Sequence, residues 1–134
     1  MLKQLSIFAE NRRGAMHRMM SILSEAGIDI RTSVTNDSAE YGIIRMIVSE
    51  PEQASRLLRE NGYQCKLSSV IAIEIDDTPG TLAHLLGVLD DIAVNVDYIY
   101  PSFTRESSRP VMIMHTESLE EAESCLRSHG LRVL

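Results

Sequence analysis

"DDTPGTLAHLLGVLDDIAVNVDYIY", Asp76 to Tyr100, is a polar turn, a leucine-rich segment and a β-branched run in succession. Leu82, Leu85, Leu86 and Leu89 recur at i, i+3, i+4 and i+7, the spacing that puts apolar side chains on one face of a helix. The preceding Asp77-Thr78-Pro79-Gly80 has two readings. As a helix start, Thr78 caps, Pro79 takes the first helical position and Gly80 packs closely. As a binding turn, the glycine lets a ligand approach the backbone, and the unpaired N–H groups of the helix start favour a carboxylate.

The stretch is one of a pair. Shifting the chain by 66 residues lays Gly14 on Gly80 and brings Met16, Met19, Met20 and Leu23 onto the four leucines. Asp29 falls on Asn95, and Ile28 and Ile30 on Val94 and Val96. Farther on, a shift of 68 aligns Ala54, Leu58, Arg59 and Gly62 with Ala122, Leu126, Arg127 and Gly130. The two added residues are assigned to the polar stretch "PSFTRESSRP", which is longer than "TNDSAEYG", because length variation is tolerated in surface loops.

Each half reads as strand, helix, strand, strand, helix, strand. "LKQLSIFAE" and "SVIAIEID" alternate apolar and polar residues, as half-buried strands do. "IDIRTSVT" with "GIIRMIVS", and "VNVDYIY" with "PVMIMHT", read as hairpin pairs. Second helices are expected from Pro51 to Asn61 and from Leu119 to His129. Pro51 suits a first turn, Ser118-Leu119-Glu120-Glu121 has capping-box spacing, and Gly62 and Gly130 fit the left-handed closing position. Short last strands follow at "YQCKLS" and "LRVL". The order defines an α+β fold of two ferredoxin-like βαββαβ repeats, residues 1–68 and 69–134, each an antiparallel sheet with its helices on one face. A unit of about 66 residues is marginal alone, since it buries only ~60% of its unfolded surface.

The duplicated pattern resembles the ACT domain, a small regulatory module of amino-acid metabolism. The second half carries the Asp-x-Pro-Gly turn, the leucine-rich helix and "AVNVDYIY" where the family has a Gly-Ile-Asn-Ile segment; the first departs at Asn11-Arg12-Arg13-Gly14 but keeps "AGIDIRTS". The resemblance spans essentially the whole chain as two tandem copies. It implies a noncatalytic sensor that binds an amino acid, with ligands at an interface between ACT units, where the first turn of one meets the start of the second strand of its neighbour. Carried over by position, the ligand-binding candidates are Asn11, Arg12, Arg13, Gly14 and Ala15 in one turn and Asp77, Thr78, Pro79, Gly80 and Thr81 in the other, faced by Asp29 and Asn95. A homodimer is expected, with a metabolic enzyme or a regulator as the further partner. The alternatives are a dimerisation or docking subunit without a ligand and, ranked lower, a small enzyme with an unrecognised site.

Residue chemistry favours the binding turn over the cap when the halves are taken together. Arg12 and Arg13 stand at a helix start, where the macrodipole disfavours positive charge by ~0.3–1 kcal/mol. A neighbouring anion, from a ligand or an acidic partner surface, would reverse that penalty. The ligand's ammonium group would need an acceptor from Asp29, Asp77, Asn11 or Asn95. Methionines at helical and strand spacing are expected in the core.

Other classes are disfavoured. His17, His84, His115 and His129 do not recur between the repeats and read as surface histidines; Cys125, aligned with Leu57, reads as a small core residue. Without a metal-ligand spacing, a triad order or a phosphate loop, catalysis, a metal and a cofactor are not expected. A formal charge of −6 argues against direct nucleic-acid binding. The chain has neither an apolar run of spanning length nor a signal-peptide pattern, so no membrane association and a cytoplasmic location are expected.

Overall fold

A computed structural model describes residues 1–36, 41–103 and 107–134. The elements are β1 (Leu2–Glu10), α1 (Ala15–Glu25), β2 (Ile30–Asn36), β3 (Tyr41–Val48), α2 (Pro51–Glu60), β4 (Gln64–Glu74), α3 (Thr81–Asp90), β5 (Tyr98–Ser102), β6 (Val111–His115), α4 (Leu119–Ser128) and β7 (Arg132–Val133). The α+β fold with antiparallel pairing is the one expected. The chain divides into two compact units, Lys3–Ser68 and Ser69–Leu134, the latter grouped with Met1–Leu2.

In the first unit β3 lies between β1 and β2, antiparallel to both, with Ile7 opposite Ile44 and Leu5 opposite Met46. A register irregularity between Ile30 and Thr32 bends β2 at its start. Leu5 and Ile7 from β1, Met19 and Leu23 from α1, and Ala54 and Leu58 from α2 form the core together with Ile44 and Met46. β1 alternates only in part: Leu5, Ile7 and Ala9 are buried and Phe8 and Glu10 exposed, but Gln4, on the face opposite Leu5, is fully buried and Ser6 half-buried.

In the second unit β6 lies between β4 and β5, and β7 pairs with β4. Ile71, Ile73, Leu85, Leu89, Met114, Ala122 and Leu126 build the core. Here the half-buried alternation expected of "SVIAIEID" is absent, because every residue from Val70 to Ile75 is buried. The run "VIAI" has no polar residue to mark a wet face, which is how strands covered on both faces read.

Four local expectations are revised. The strands expected at "YQCKLS" and "SVIAIEID" are one strand, β4, with no turn residue between them to end it. The strand expected from Val94 forms only from Tyr98, so β5 is shorter than β2. Ser118 is the N-cap of α4, but its side chain makes no capping bond; its N–H instead donates to the Thr116 hydroxyl at 3.3 Å. Met16 is 45% exposed, unlike the buried Met19, Met46, Met112 and Met114. Parts of the two polar loops compared for length, residues 37–40 and 104–106, lie outside the described residues.

The helix ends follow the glycines. Gly62 and Gly130 have φ of 87° and 77°. Tyr63 N–H donates to Leu58 O and Leu131 N–H to Leu126 O, both at 3.0 Å, while each glycine N–H reaches the carbonyl three residues back. This is the Schellman closure, made twice.

Candidate functional site

The two first turns are built alike. Gly14 (φ 84°) and Gly80 (φ 89°) are left-handed N-caps, so α1 begins at Ala15 and α3 at Thr81. Ala15 N–H donates to Arg12 O at 3.2 Å and Thr81 N–H to Thr78 O at 3.4 Å, closing the same turn in each. Gly14 O and Gly80 O each accept the first helical bond at 2.9 Å, from Arg18 N–H and His84 N–H. The helix-start reading of Asp77-Thr78-Pro79-Gly80 is therefore corrected. Thr78 does not cap and Pro79 is not the first helical residue; the Thr81 hydroxyl donates to Thr78 O at 2.9 Å inside the turn.

Close packing does not explain the glycines. A β-carbon at either would have no atom within 4 Å, so it is the positive φ that demands glycine. The space in front of both turns is open.

Two cavities flank the first turn, and the turn is their common wall. One, of about 340 Å³, lies between the start of α1, the end of β2 and the start of β3; it is lined by Asn11, Gly14, Ala15, Met16, His17, Thr35, Asn36, Gly42 and Ile44, among others. The other, of about 890 Å³, extends to the α2–β4 corner, with Arg12, Arg13, Gly14, Ala15, Arg18, Asn61, Tyr63 and Gln64 in its wall. Arg12 Nε is 3.3 Å from Glu10 Oε2, and the Arg18 guanidinium lies 5.5 Å from the centre of the Tyr63 ring.

Asn11, Arg12, Arg13, Gly14 and Ala15 are thus brought together around these cavities. Asp77, Thr78, Pro79, Gly80 and Thr81 form the matching turn. Asp29 follows α1 at the end remote from Gly14, the 11-residue helix between them being about 16 Å long at 1.5 Å per residue. Its N–H donates to Ser49 Oγ at 3.0 Å and its carbonyl accepts Ser49 N–H at 2.9 Å. Asn95 likewise lies beyond α3; its amide donates to Asp97 Oδ1 at 3.2 Å and its carbonyl accepts the Thr116 hydroxyl at 2.7 Å. Within its own unit, neither Asp29 nor Asn95 shares a site with the turn.

Sequence reasoning missed His17, Arg18, Thr35, Asn36, Asn61, Tyr63 and Gln64 as lining residues. Arg18 had a readable signal, since it stands one helical turn beyond Gly14. Tyr63 and Gln64 had none, because only tertiary folding brings the α2–β4 corner beside the turn.

His115 is not the plain surface histidine expected. It is half-buried, its Nδ1 lies 2.8 Å from Asp97 Oδ2, and its ring stacks on Tyr98 with centroids 5.1 Å apart. Cys65 and Cys125 are half-buried free thiols. Among the described residues, no group of three or more His, Cys, Asp and Glu is placed to hold a metal ion, and no helix is long and apolar enough to cross a membrane.

Two βαββαβ units, each opening its first helix from a left-handed glycine turn, define a tandem ACT protein. The chain matches the family of ACT domain pairs over residues 1–133, and it belongs to that family. No curated protein matches it. Among solved structures it is similar to protein BT0572 of Bacteroides thetaiotaomicron, with 28% identity over 99% of this chain and 91% of the other and a TM-score of 0.91. It is also similar in fold to the regulatory subunit of aspartate kinase from Thermus thermophilus: 17% identity, 96% and 90% coverage, TM-score 0.71. The corresponding subunit from Thermus flavus gives 17%, 93% and 88%, and 0.66.

Proposed function

We propose that the protein is a noncatalytic regulator that binds an amino acid at its first-unit turn and conveys occupancy to a metabolic enzyme or regulator. The observation that carries this reading is the cavity of about 340 Å³ against Gly14, with Glu10, Asn11, Arg12, His17, Thr35 and Asn36 as polar lining and Met16 and Ile44 as apolar lining. A few polar groups in a mostly apolar cleft suit a small zwitterion with a side chain. Exposed N–H groups at the start of α1 would receive the ligand carboxylate. In this reading residues 1–68 and 69–134 are the two ACT repeats, and the protein acts as a cytoplasmic homodimer. Asp29 and Asn95 are the ammonium acceptors that a second copy would supply. Family membership and fold likeness to aspartate kinase regulatory subunits support a regulatory role.

The rival reading, a docking subunit without a ligand, draws on Leu82 and Leu86, which are 42% and 38% exposed on α3. The two separate in a thermal-shift screen against the proteinogenic amino acids, since a ligand that binds the folded state raises Tm by mass action. One amino acid is expected to raise Tm, and Ala15→Leu, which narrows the cavity without straining the backbone, is expected to abolish the rise. A flat screen, or a rise that Ala15→Leu leaves unchanged, would count against the turn site.

A further inference from the structure

The two turns share one backbone geometry and differ in charge. Beside Gly14 stand Arg12 and Arg13, and Arg18 follows one helical turn later; all three line the cavity of about 890 Å³. The matching positions beside Gly80 are Thr78, Pro79 and His84, with Asp76 and Asp77 at the entry to the turn. Arg12 is the only one of the three arginines with a carboxylate partner among the described residues, Glu10 at 3.3 Å. Arg18 rests over the Tyr63 ring, a cation–π contact that supplies no carboxylate. In the second unit Asp76 is paired with Arg109 at 3.3 Å, whereas Asp77 brings a carboxylate to the turn.

A neutral amino acid offers one anionic group, which the N–H groups at the start of α1 can receive. Glu10, which lines both cavities, offsets Arg12 and leaves Arg13 and Arg18 without a carboxylate partner among the described residues. Their planar forks match carboxylate and phosphate oxygens. Building on the reading of this turn as an amino-acid site, we propose that the first unit takes a ligand with two anionic groups, an acidic or phosphorylated amino acid. Its α-carboxylate sits at the Gly14 turn, where Arg12, Gly14 and Ala15 line both cavities, and its second anion lies between Arg13 and Arg18, toward Asn61 and Gln64. The Gly80 turn, which carries Asp77 and whose entry holds Arg109 already paired with Asp76 and Glu74, refuses the same ligand.

The test is calorimetric titration of the full chain with L-glutamate, O-phospho-L-serine, L-glutamine and inorganic phosphate. Glutamate or phosphoserine is expected to bind at least roughly tenfold more tightly than glutamine, the difference one charge-assisted contact makes; whichever is tighter tells carboxylate from phosphoryl. Arg13→Gln and Arg18→Gln, each checked for folding by circular dichroism, should remove that preference, bringing glutamate and phosphoserine down to the level of glutamine. Equal binding of glutamate, phosphoserine and glutamine, lost in Ala15→Leu, would overturn the dianion proposal and leave the amino-acid site standing. Phosphate binding as tightly as phosphoserine would reduce the cavity to a nonspecific anion patch, which also overturns it. A neutral amino acid that binds at the turn when none of the four probes does would overturn the proposal alone. Silence from every amino acid removes both readings.

Discussion

Ala93 has φ of 58°, the only positive φ outside glycine among the described residues. It aligns with Gly27 (φ 72°), and both close their helices alike: Gly27 N–H donates to Ser24 O and Ala93 N–H to Asp90 O, and the next residue reaches the carbonyl five back. A β-carbon in the left-handed region costs ~1–2 kcal/mol. Glycine gives back part of any gain through its freer unfolded chain. Ala93→Gly is therefore expected to stabilise the protein by about 0.5–1 kcal/mol, and Gly27→Ala to destabilise it by about as much. A β-carbon at Gly27 would meet nothing within 4 Å, so strain alone decides the sign there. Urea unfolding of the two variants checks both; opposite signs are the expected outcome. Lining up the repeats reveals the Gly27–Ala93 pair in the sequence, but only the backbone shows that alanine occupies a glycine conformation.

Among the elements, Glu74 ties down the end of β4. Its side chain is 3% exposed; it accepts the Ser107 hydroxyl at 2.8 Å and meets Arg132 of β7 at 3.4 Å and Arg109 at 3.7 Å. The arginines are largely exposed, so losing the pairs strands no buried positive charge. Glu74→Gln should nonetheless cost about 1.5–3 kcal/mol, the range for a hydrogen bond to a charged group, and Ser107→Ala less. Chemical denaturation gives both values; a cost for Ser107→Ala above that for Glu74→Gln would break the account. The alternating pattern of "SVIAIEID" had put Glu74 on a wet face. It is buried, with Ser107, Arg109 and Arg132 as its polar partners, residues far away in sequence.

A second contact between elements carries a pH signature. The Lys3 ammonium of β1 donates to the Glu52 carboxylate at the start of α2 and, with the backbone hydrogen bond there, holds that carboxyl below its ordinary value of about 4.5. A folded pKa below the unfolded one stabilises the fold above the unfolded value, and this contribution is lost as pH falls through the folded value. Both side chains are exposed, so the effect on stability is small. An NMR titration of Glu52 should move back up toward the ordinary value in Lys3→Met; an unmoved titration would show that Lys3 is not the cause.

For the whole molecule, the 66-residue period gave the fold, since the recurrence of glycine turn, apolar helix face and closing glycine leaves little freedom in how each unit is built. The boundary was less visible. Residues 64–74 form one strand although the two units divide after Ser68. Cutting the chain there splits that strand, and units of this size are marginal in any case. A fragment of residues 1–68 is expected to melt well below the full chain when circular dichroism follows both; equal melting temperatures would show that the strand's second half adds nothing to the first unit.

The sequence by itself determined the two βαββαβ repeats, the glycine turns and the helix closures, because periodicity and backbone conformation are local properties that residue types impose wherever they stand. It also determined the arginines at one turn and the aspartates at the other. Only the tertiary structure decided that the space before the turns is open, and that the first turn is the wall between two cavities. It alone decided that Arg18, Tyr63 and Gln64 join that wall, that Asp29 and Asn95 lie at the far ends of their helices, and that Glu74 is buried. Each of these depends on which distant segments meet, and a cavity exists only where separate elements approach without filling the space between them.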